Sequence, residues 1–199
     1  MQQIYLDNAA TTPVRPEVEE VMQPYFCEKY GNPSGIYKMA SECRQALETV
    51  RKQIGKTLKV SAEEIYFTSG GTESDNWAIK STAQRLKEKG KHIITSKIEH
   101  HAVLNSCAYL ETQGFEVTYL DVDEWGCVRF DALQRAIRKD TILISIMYAN
   151  NEVGTIQPIG QIGKIAKEND IFFHTDAVQA YGQIPIDVKR ENIHLLSAS

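Results

Sequence analysis

The stretch Ile171-Phe-Phe-His-Thr-Asp-Ala-Val-Gln179 decides the fold, because an apolar run there ends in an acid and an amide. A second run, Leu195-Leu-Ser-Ala-Ser199, closes on a hydroxyl. Short apolar runs of this kind are typical of strands that a parallel sheet buries on both faces. Polar side chains at the carboxyl ends of such strands are suited to binding a polar ligand in the crevice of an α/β protein.

Strand-like runs alternate with helical patterns along the chain. The strand-like runs are Ile65–Thr68, His92–Thr95, Glu116–Leu120, Thr141–Met147, Ile171–His174 and His194–Ser197. The helical patterns are Arg15–Cys27, Ala40–Leu58, Ser74–Lys89, His101–Gln113, Asp131–Arg138 and Ile159–Asn169. This alternation predicts an α/β fold, a three-layer sandwich whose helices cover both faces of a mostly parallel sheet.

The composition is that of an ordinary globular protein. Of the 199 residues, 42% are hydrophobic and 24% are charged, and the formal net charge is −4. These values argue against a membrane protein or a disordered one, and no basic run indicates nucleic-acid binding. The start, Met1-Gln-Gln-Ile-Tyr-Leu-Asp7, has no leader pattern, so a cytoplasmic location is expected.

The cysteines give no sign of a disulfide framework or a metal site. Four of them are widely spaced and form no CxxC pair: Cys27, Cys43, Cys107 and Cys127. This spacing favours reduced thiols, and no metal site is predicted. Isolated cysteines are more often small buried hydrophobes than nucleophiles.

A glycine-rich turn, Thr68-Ser-Gly-Gly-Thr72, lies between a predicted strand and a predicted helix. Its glycines let the backbone approach an anion, and the helix amino terminus completes a phosphate site with the Thr72 hydroxyl. The alternative is that Ser69 or Thr72 only caps the helix. The turn lacks the lysine of a P-loop and the third glycine of a dinucleotide fingerprint.

Two further motifs follow predicted strands. In Ile98-Glu-His-His101, a ring at His100 could stack on a flat heterocycle, whereas adjacent histidines project in different directions and chelate one metal poorly. A solvated histidine pair is the alternative. In Tyr148-Ala-Asn-Asn-Glu-Val-Gly154, the amides could fix a substrate carboxylate, although the same residues also suit a plain turn.

Asp176 and Gln179 form the fourth motif. A carboxylate beside a pyridine nitrogen keeps that nitrogen protonated, which lets the ring accept electrons from a substrate carbanion. The alternative is a buried aspartate that caps a following helix. Together with the glycine-rich turn and His100, this motif indicates a site for pyridoxal phosphate.

Five segments, in order, resemble the cysteine desulfurases of the NifS/IscS type, which are fold type I pyridoxal phosphate enzymes related to the class V aminotransferases. They span the chain: Tyr5-Leu-Asp-Asn-Ala-Ala-Thr-Thr-Pro13, Phe67-Thr-Ser-Gly-Gly-Thr-Glu-Ser-Asp-Asn76, Glu99-His-His-Ala-Val-Leu104, Asn150-Asn-Glu-Val-Gly154 and His174-Thr-Asp-Ala-Val-Gln179. The closing Leu195-Leu-Ser-Ala-Ser199 resembles the approach to the family's Ser-Gly-His-Lys motif.

The resemblance implies a role for each site residue. The cofactor phosphate would be held by Gly71, Thr72 and Ser199. His100 would stack on the pyridine ring, Asp176 would pair with its nitrogen, and Gln179 would bind its phenolic oxygen. The substrate would contact Asn8, Ala9 and Asn151.

The resemblance also implies a domain organisation. An amino-terminal segment, 1–15, would line the substrate mouth, and 16–199 would form the cofactor-binding large domain. The Schiff-base lysine would come three positions after Ser199, and the persulfide cysteine would lie in a smaller carboxyl-terminal domain, so neither is in this chain. Residues 1–199 by themselves are therefore expected to be inactive.

The implied activity converts L-cysteine to L-alanine and a protein-bound persulfide for iron–sulfur cluster assembly or tRNA thiolation. Expected partners are a second copy in a homodimer and a sulfur acceptor such as an iron–sulfur scaffold, with no direct nucleic-acid or membrane binding. Two alternatives stay open. One is a selenocysteine lyase or aminotransferase of the same fold type, and the other is a non-catalytic remnant that binds a partner.

Overall fold

A computed structural model describes residues 4–199 of the chain. The chain divides into two compact units, Met1–Tyr66 and Phe67–Ser199. The predicted segment 1–15 lies in the first unit, and its role at a substrate mouth stays a prediction.

Helices make up most of the regular structure of the first unit. They are α1, Pro16–Cys27, and α2, Lys38–Leu58, followed by a single 3₁₀ turn at Ala62–Glu64. The fixed φ of proline suits the first position of α1. At the end of α2, Lys59 adopts a left-handed conformation, and its amide donates to the carbonyls of Gly55 and Lys56.

The second unit alternates helices and strands. Its helices are α3, Gly71–Leu86; α4, His101–Thr112; α5, Phe130–Ala136; and α6, Ile159–Glu168. Its strands are β1, His92–Ser96; β2, Glu116–Leu120; β3, Thr141–Ser145; β4, Phe172–Asp176; and β5, Leu195–Ser197. The predicted α/β class is confirmed.

The described strands form one sheet in the order β2-β1-β3-β4-β5, with every neighbouring pair parallel. Every residue of β1 and β3 is buried, which requires cover on both faces of the sheet centre. On α3 and α4, the core residues repeat at helical spacing: Ile79 and Ala83, then Val103, Cys107 and Leu110. The position of these strands therefore follows from their apolar sequences.

One predicted strand is wrong. Ile65–Thr68 is not part of a strand, although the backbone at Ile65 is extended. The Ile65 carbonyl accepts a hydrogen bond from Arg51 Nε at 3.2 Å, and no described strand pairs with this run. An apolar, β-branched run becomes a strand only when a neighbouring strand takes up its backbone groups.

Within residues 4–199, no helix is long and apolar enough to cross a membrane.

Candidate functional site

The strand order places the site in the second unit. From β1 the chain passes to β2 on one side, and then returns past β1 to β3 on its other side. The direction of the strand order therefore reverses between β1 and β3. Sheets of this order bind ligands outside the carboxyl ends of the strands at such a switch point. His100 follows β1, Asn151 follows β3, and Asp176 ends β4. These three candidate residues therefore lie on the same edge of the sheet.

The glycine-rich turn packs against the segment that follows β4. A Cβ atom on Gly71 would lie 2.6 Å from Val178 Cγ2 and 3.8 Å from the Ser199 Cβ. A Cβ atom on Gly70 would meet nothing within 4 Å, so open space lies before the amino terminus of α3. The first amides of a helix have no partner inside the helix and attract anions. The turn, Ser199 and the segment after Asp176 thus meet at the amino terminus of α3.

Hydrogen bonds within the turn decide between its two interpretations. Gly70 is the N-cap of α3 and makes no side-chain capping bond, so the interpretation in which Ser69 or Thr72 caps the helix is wrong. Instead, the Ser69 amide donates to Glu73 Oε2 at 2.6 Å, and the Thr68 hydroxyl pairs with Ser74 Oγ at 2.7 Å. The exposed Thr72 side chain is not needed for the capping of α3.

His100 is the N-cap of α4, and its Nδ1 accepts a hydrogen bond from the Ala102 amide at 3.2 Å. This bond fixes the ring and leaves Nε2 on the other side of it. The side chain is exposed, yet it lies near enough to Asp176 to lower the pKa of that carboxyl. The His101 ring centroid is 6.2 Å away, with a tilt of 54° between the two rings, so they do not converge on one point.

The two adjacent asparagines have different surroundings. Asn150 is buried: its Oδ1 accepts from the amides of Glu152 and Val153, and its Nδ2 donates to the Ile98 carbonyl at 2.8 Å. The turn interpretation therefore holds for Asn150. Asn151 is half-buried, and among the described residues 4–199 its side-chain amide donates only to the neighbouring Glu152 carboxylate, at 3.1 Å.

Asp176 ends β4 with 5% of its surface exposed, and its Oδ1 accepts from the Val178 amide at 2.9 Å. Burial raises the pKa of Asp176, whereas the Val178 amide and His100 act to lower it. A run of turns follows, so the interpretation in which Asp176 caps a helix is wrong. Gln179 is half-buried in these turns.

The sequence reasoning missed Asp75, a buried acid behind Asp176. It lies on α3 with 1% of its surface exposed, and the Asp75 carboxyl is within hydrogen-bonding reach of Asp176. Burial and the neighbouring Asp176 charge raise the pKa of Asp75 to about 7. A signal was present in the sequence, because Asp75 continues the buried stripe formed by Ile79, Thr82 and Ala83.

His174 connects these acids to the sheet. Its Nδ1 bonds to Ser145 Oγ at 2.9 Å and its Nε2 to Ser197 Oγ at 3.0 Å, while Asp75 Oδ1 lies 3.6 Å from Nε2. Complete burial lowers the pKa of His174 to about 3, so the ring is neutral. The Asp75–His174 contact is therefore not an ion pair.

Glu99 is a third buried acid at this edge. Its Oε1 accepts from Ser96 Oγ at 2.5 Å and from the Met147 amide at 3.0 Å, so it links the ends of β1 and β3. Burial raises the pKa of Glu99 to about 8. The neutral form of this carboxyl is therefore favoured over a wider pH range than in an exposed glutamate.

The remaining candidates are two residues of the first unit. Asn8 and Ala9 are exposed and lie within a turn in which the Ala10 amide donates to the Asp7 carbonyl. All four cysteines are free thiols, and burial raises the pKa of Cys107 to about 12, so that thiol is a poor nucleophile. Residues 4–199 contain no group of three acids, histidines or cysteines that could hold a metal ion.

An all-parallel sheet with an open helix amino terminus and a buried carboxylate at one edge is typical of cofactor-binding α/β proteins. The chain belongs to the aminotransferase class-V family, whose model matches residues 4–199. Members of this family are pyridoxal phosphate-dependent enzymes.

Curated relatives are named cysteine desulfurases. One from Methanosarcina thermophila, "Cysteine desulfurase IscS", is 64% identical over 196 residues, which cover 98% of this chain and 48% of the relative. Another of the same name, from Dictyoglomus turgidum, is 59% identical over 198 residues, which cover 100% of this chain and 50% of the relative. The chain thus spans about half the length of these relatives, and its resemblance to the desulfurases is confirmed.

Solved structures have the same fold. "NIFS-LIKE PROTEIN" superposes with a TM-score of 0.96 at 42% identity and covers 100% of this chain and 55% of its own. "SspA in complex with cysteine" has a TM-score of 0.95 at 45% identity, with 98% and 56% of the two chains covered. These neighbours confirm fold type I.

Proposed function

We propose that the whole protein carrying this chain is a pyridoxal phosphate-dependent cysteine desulfurase. The reaction is L-cysteine + protein-SH → L-alanine + protein-SSH. The carbon–sulfur bond of the substrate breaks and a sulfur–sulfur bond forms, so sulfur transfer needs no external oxidant or reductant. By the family resemblance, the acceptor thiol would belong to a part of the protein outside residues 1–199. Cys107 is unsuited to the role, because burial raises the pKa of its thiol to about 12.

One observation carries this proposal: the Gly71 turn packs against Val178, two residues after Asp176. An anion-binding position and a buried carboxylate therefore adjoin, as a ligand with a phosphate tail and a basic heterocycle requires. The open space before Gly70 leaves room for the phosphate. The residues present thus fit pyridoxal phosphate, which supplies an electron sink for the α-carbon of a bound amino acid.

The roles proposed for the individual residues follow from this arrangement. The amides at Gly71 and Thr72, with the Ser199 hydroxyl, would bind the phosphate. His100, fixed by the Ala102 amide, would stack on the ring, and Asp176 would hold a proton on the ring nitrogen. Gln179 would bind the phenolic oxygen.

L-cysteine is the proposed substrate. Its support is the IscS relatives and the neighbour solved "in complex with cysteine". Asn151 would bind the substrate carboxylate, since its side chain is less committed to the turn than that of Asn150. The proposed substrate contacts of Asn8 and Ala9 rest on the family resemblance.

Three further parts of the proposal also rest on the resemblance. They are a homodimer, a cytoplasmic location, and transfer of sulfur to an acceptor such as an iron–sulfur scaffold. The size of the purified protein in solution tests the first. Transfer of persulfide sulfur to a candidate scaffold, followed with ³⁵S-labelled L-cysteine, tests the last.

An assay of the whole purified protein with pyridoxal phosphate and L-cysteine tests the activity. Equal yields of alanine and, with a thiol reductant present, sulfide are expected. Amino transfer to a keto acid without sulfide would instead indicate an aminotransferase, and preference for selenocysteine would indicate a lyase. A protein without any of these activities would be a partner-binding remnant.

Residues 1–199 by themselves are proposed to be inactive, since the lysine of the family's Ser-Gly-His-Lys motif lies outside them. Alanine release by the purified 199-residue chain would contradict this.

A further inference from the structure

We propose that Asp75 is a positioning residue that carries the proton shared by two buried carboxyls, so that Asp176 stays ionised toward the cofactor ring. This inference rests on the proposed function, because it concerns the partner of the ring nitrogen. It adds a residue on α3 to a site otherwise built from loops after the strands.

The geometry requires one of the two acids to be neutral. Asp75 and Asp176 have 1% and 5% of their surfaces exposed and lie within hydrogen-bonding reach of each other. Two like charges at this separation in a buried site repel strongly, so the pair shares one proton. Among residues 4–199, neither acid forms a salt bridge with lysine or arginine.

The hydrogen-bond donors show which carboxyl is ionised. Asp176 accepts from the Val178 amide at 2.9 Å and lies near His100, and both favour its charged form. Asp75 has weaker support. Its Oδ1 is buried without a hydrogen-bond partner, and the nearest ring, His174, is neutral. Within residues 4–199, only the Ser197 hydroxyl, which also bonds to His174, favours the charged form of Asp75. The proton therefore resides on Asp75, whose O–H donates to Asp176.

The other groups around Asp75 are consistent with this assignment. His174 on β4 and Ser197 on β5 are neutral neighbours, and Ser197 acts to lower the pKa of Asp75 without reversing its rise. Glu99, after β1, interacts electrostatically with both aspartates. No lysine or arginine salt bridge to these groups occurs in the described part of the chain, so nothing there displaces the proton.

Infrared spectroscopy of the cofactor-free whole protein tests where the proton lies. With ¹³C-labelled aspartate, the wild type should show an isotope-shifted C=O band of a protonated carboxyl on the acid side of pH 7, the value to which the pKa of Asp75 is raised. Asp75→Asn should remove this band. Glu99→Gln is the matched control, because it should remove only the unshifted band of a protonated glutamate.

Cofactor affinity provides a second test. Asp75→Asn keeps an N–H donor toward Asp176 and should bind pyridoxal phosphate within about threefold of the wild type. Asp75→Leu removes the donor and should bind about tenfold or more weakly, the fold-change expected for a lost hydrogen bond to a charged group. If asparagine preserves cofactor affinity and leucine does not, Asp75 acts as a neutral hydrogen-bond donor and its negative charge is not needed.

Two results would overturn the inference. One is a labelled aspartate band that survives Asp75→Asn at the same pH, which would place the proton on Asp176; the other is equal loss of affinity in the Asn and Leu variants. If a variant does not fold, the wild type alone still tests the inference, because absence of the labelled band would show that neither aspartate is protonated. Wild-type protein that binds no pyridoxal phosphate would instead refute the proposed function, while the infrared result would stand.

Discussion

Two buried histidines occupy opposite ends of the sheet and make the same kind of contacts. His92, at the amino end of β1, bonds through both ring nitrogens to Thr141 and Thr118, each at 2.8 Å. His174, near the carboxyl end of β4, bonds to Ser145 and Ser197 at 2.9 and 3.0 Å. Burial lowers the pKa of both rings. The side chain of His92 thus connects β1 to β2 and β3, and that of His174 connects β4 to β3 and β5.

The acids around the two rings differ. Near His92, Arg138 pairs with Asp140 at 2.7 Å and with Glu116, so the carboxylates at the amino edge are compensated. Near His174, the buried Asp75 and Asp176 have no salt bridge to a basic side chain within residues 4–199. The acids at the amino edge are thus paired with a basic side chain, whereas within the described residues those at the carboxyl edge are not. Buried acids without such a partner are common at functional sites.

Asp176→Asn should have the largest effect. Without the carboxylate, the ring nitrogen of the cofactor loses its proton, and L-cysteine turnover by the whole protein should fall by about 10²–10³-fold. Alanine production under saturating cofactor measures this. Asp140→Asn at the amino edge is the matched control and should leave turnover unchanged; an equal fall in both variants would remove the distinction between the edges.

His174→Leu and His92→Leu should each lower the free energy of unfolding by about 2–4 kcal/mol, because each loses two hydrogen bonds between the buried ring and hydroxyls of neighbouring strands. Urea unfolding of the cofactor-free protein measures this. Only His174→Leu should also weaken pyridoxal phosphate binding, followed by absorbance. If His92→Leu weakened binding as much, the amino edge would have a functional role as well.

Gly71→Ala should weaken cofactor binding by about tenfold, because the new Cβ would lie 2.6 Å from Val178 Cγ2 and displace the turn. Val178→Ala in the same protein removes that atom and should restore most of the affinity. The control is Gly160→Ala on α6, whose nearest contact would be an ordinary 3.9 Å. If Val178→Ala did not restore cofactor affinity, the contact between Gly71 and Val178 would not be what the cofactor site requires.

Glu99→Gln should flatten the pH dependence of stability. The pKa of Glu99 is raised to about 8 from an ordinary 4.5, so the folded protein keeps a proton that the unfolded chain loses over this range. Wild-type stability should therefore fall as the pH rises from 4.5 to 8. Urea unfolding of the variant should therefore show a smaller decrease of stability with pH. Some decrease should remain, because the pKa of Asp75 is also raised. An unchanged slope would mean that Glu99 is already ionised.

Arg138→Ala should have the smallest effect, a decrease in Tm of about 2 °C or less that disappears in high salt, because its ion pairs are exposed. Turnover should not change. A fall in turnover without unfolding would show that the amino edge influences the site.

Sequence patterns predicted five of the six proposed strands, because buried parallel strands are nearly continuous apolar runs. Ile65–Thr68 failed, since composition does not reveal whether a neighbouring strand exists. Because His100, Asn151 and Asp176 each end or follow a predicted strand, the sequence placed them on one edge of the sheet. It did not distinguish Asn150 from Asn151, whose roles are separated only by the hydrogen bonds of the structure. Asp75 was hidden because acids are common on helices, and only its place in an apolar stripe marks it.

Helix α3 carries Gly71 in its first turn and Asp75 four residues later. At a rise of 1.5 Å per residue, these positions are about 6 Å apart along the axis of one rigid rod. If the proposed site is right, α3 contacts the phosphate end of the ligand directly and reaches the ring end through Asp176. A residue inserted or deleted between Gly71 and Asp75 would then shift one of these contacts relative to the other.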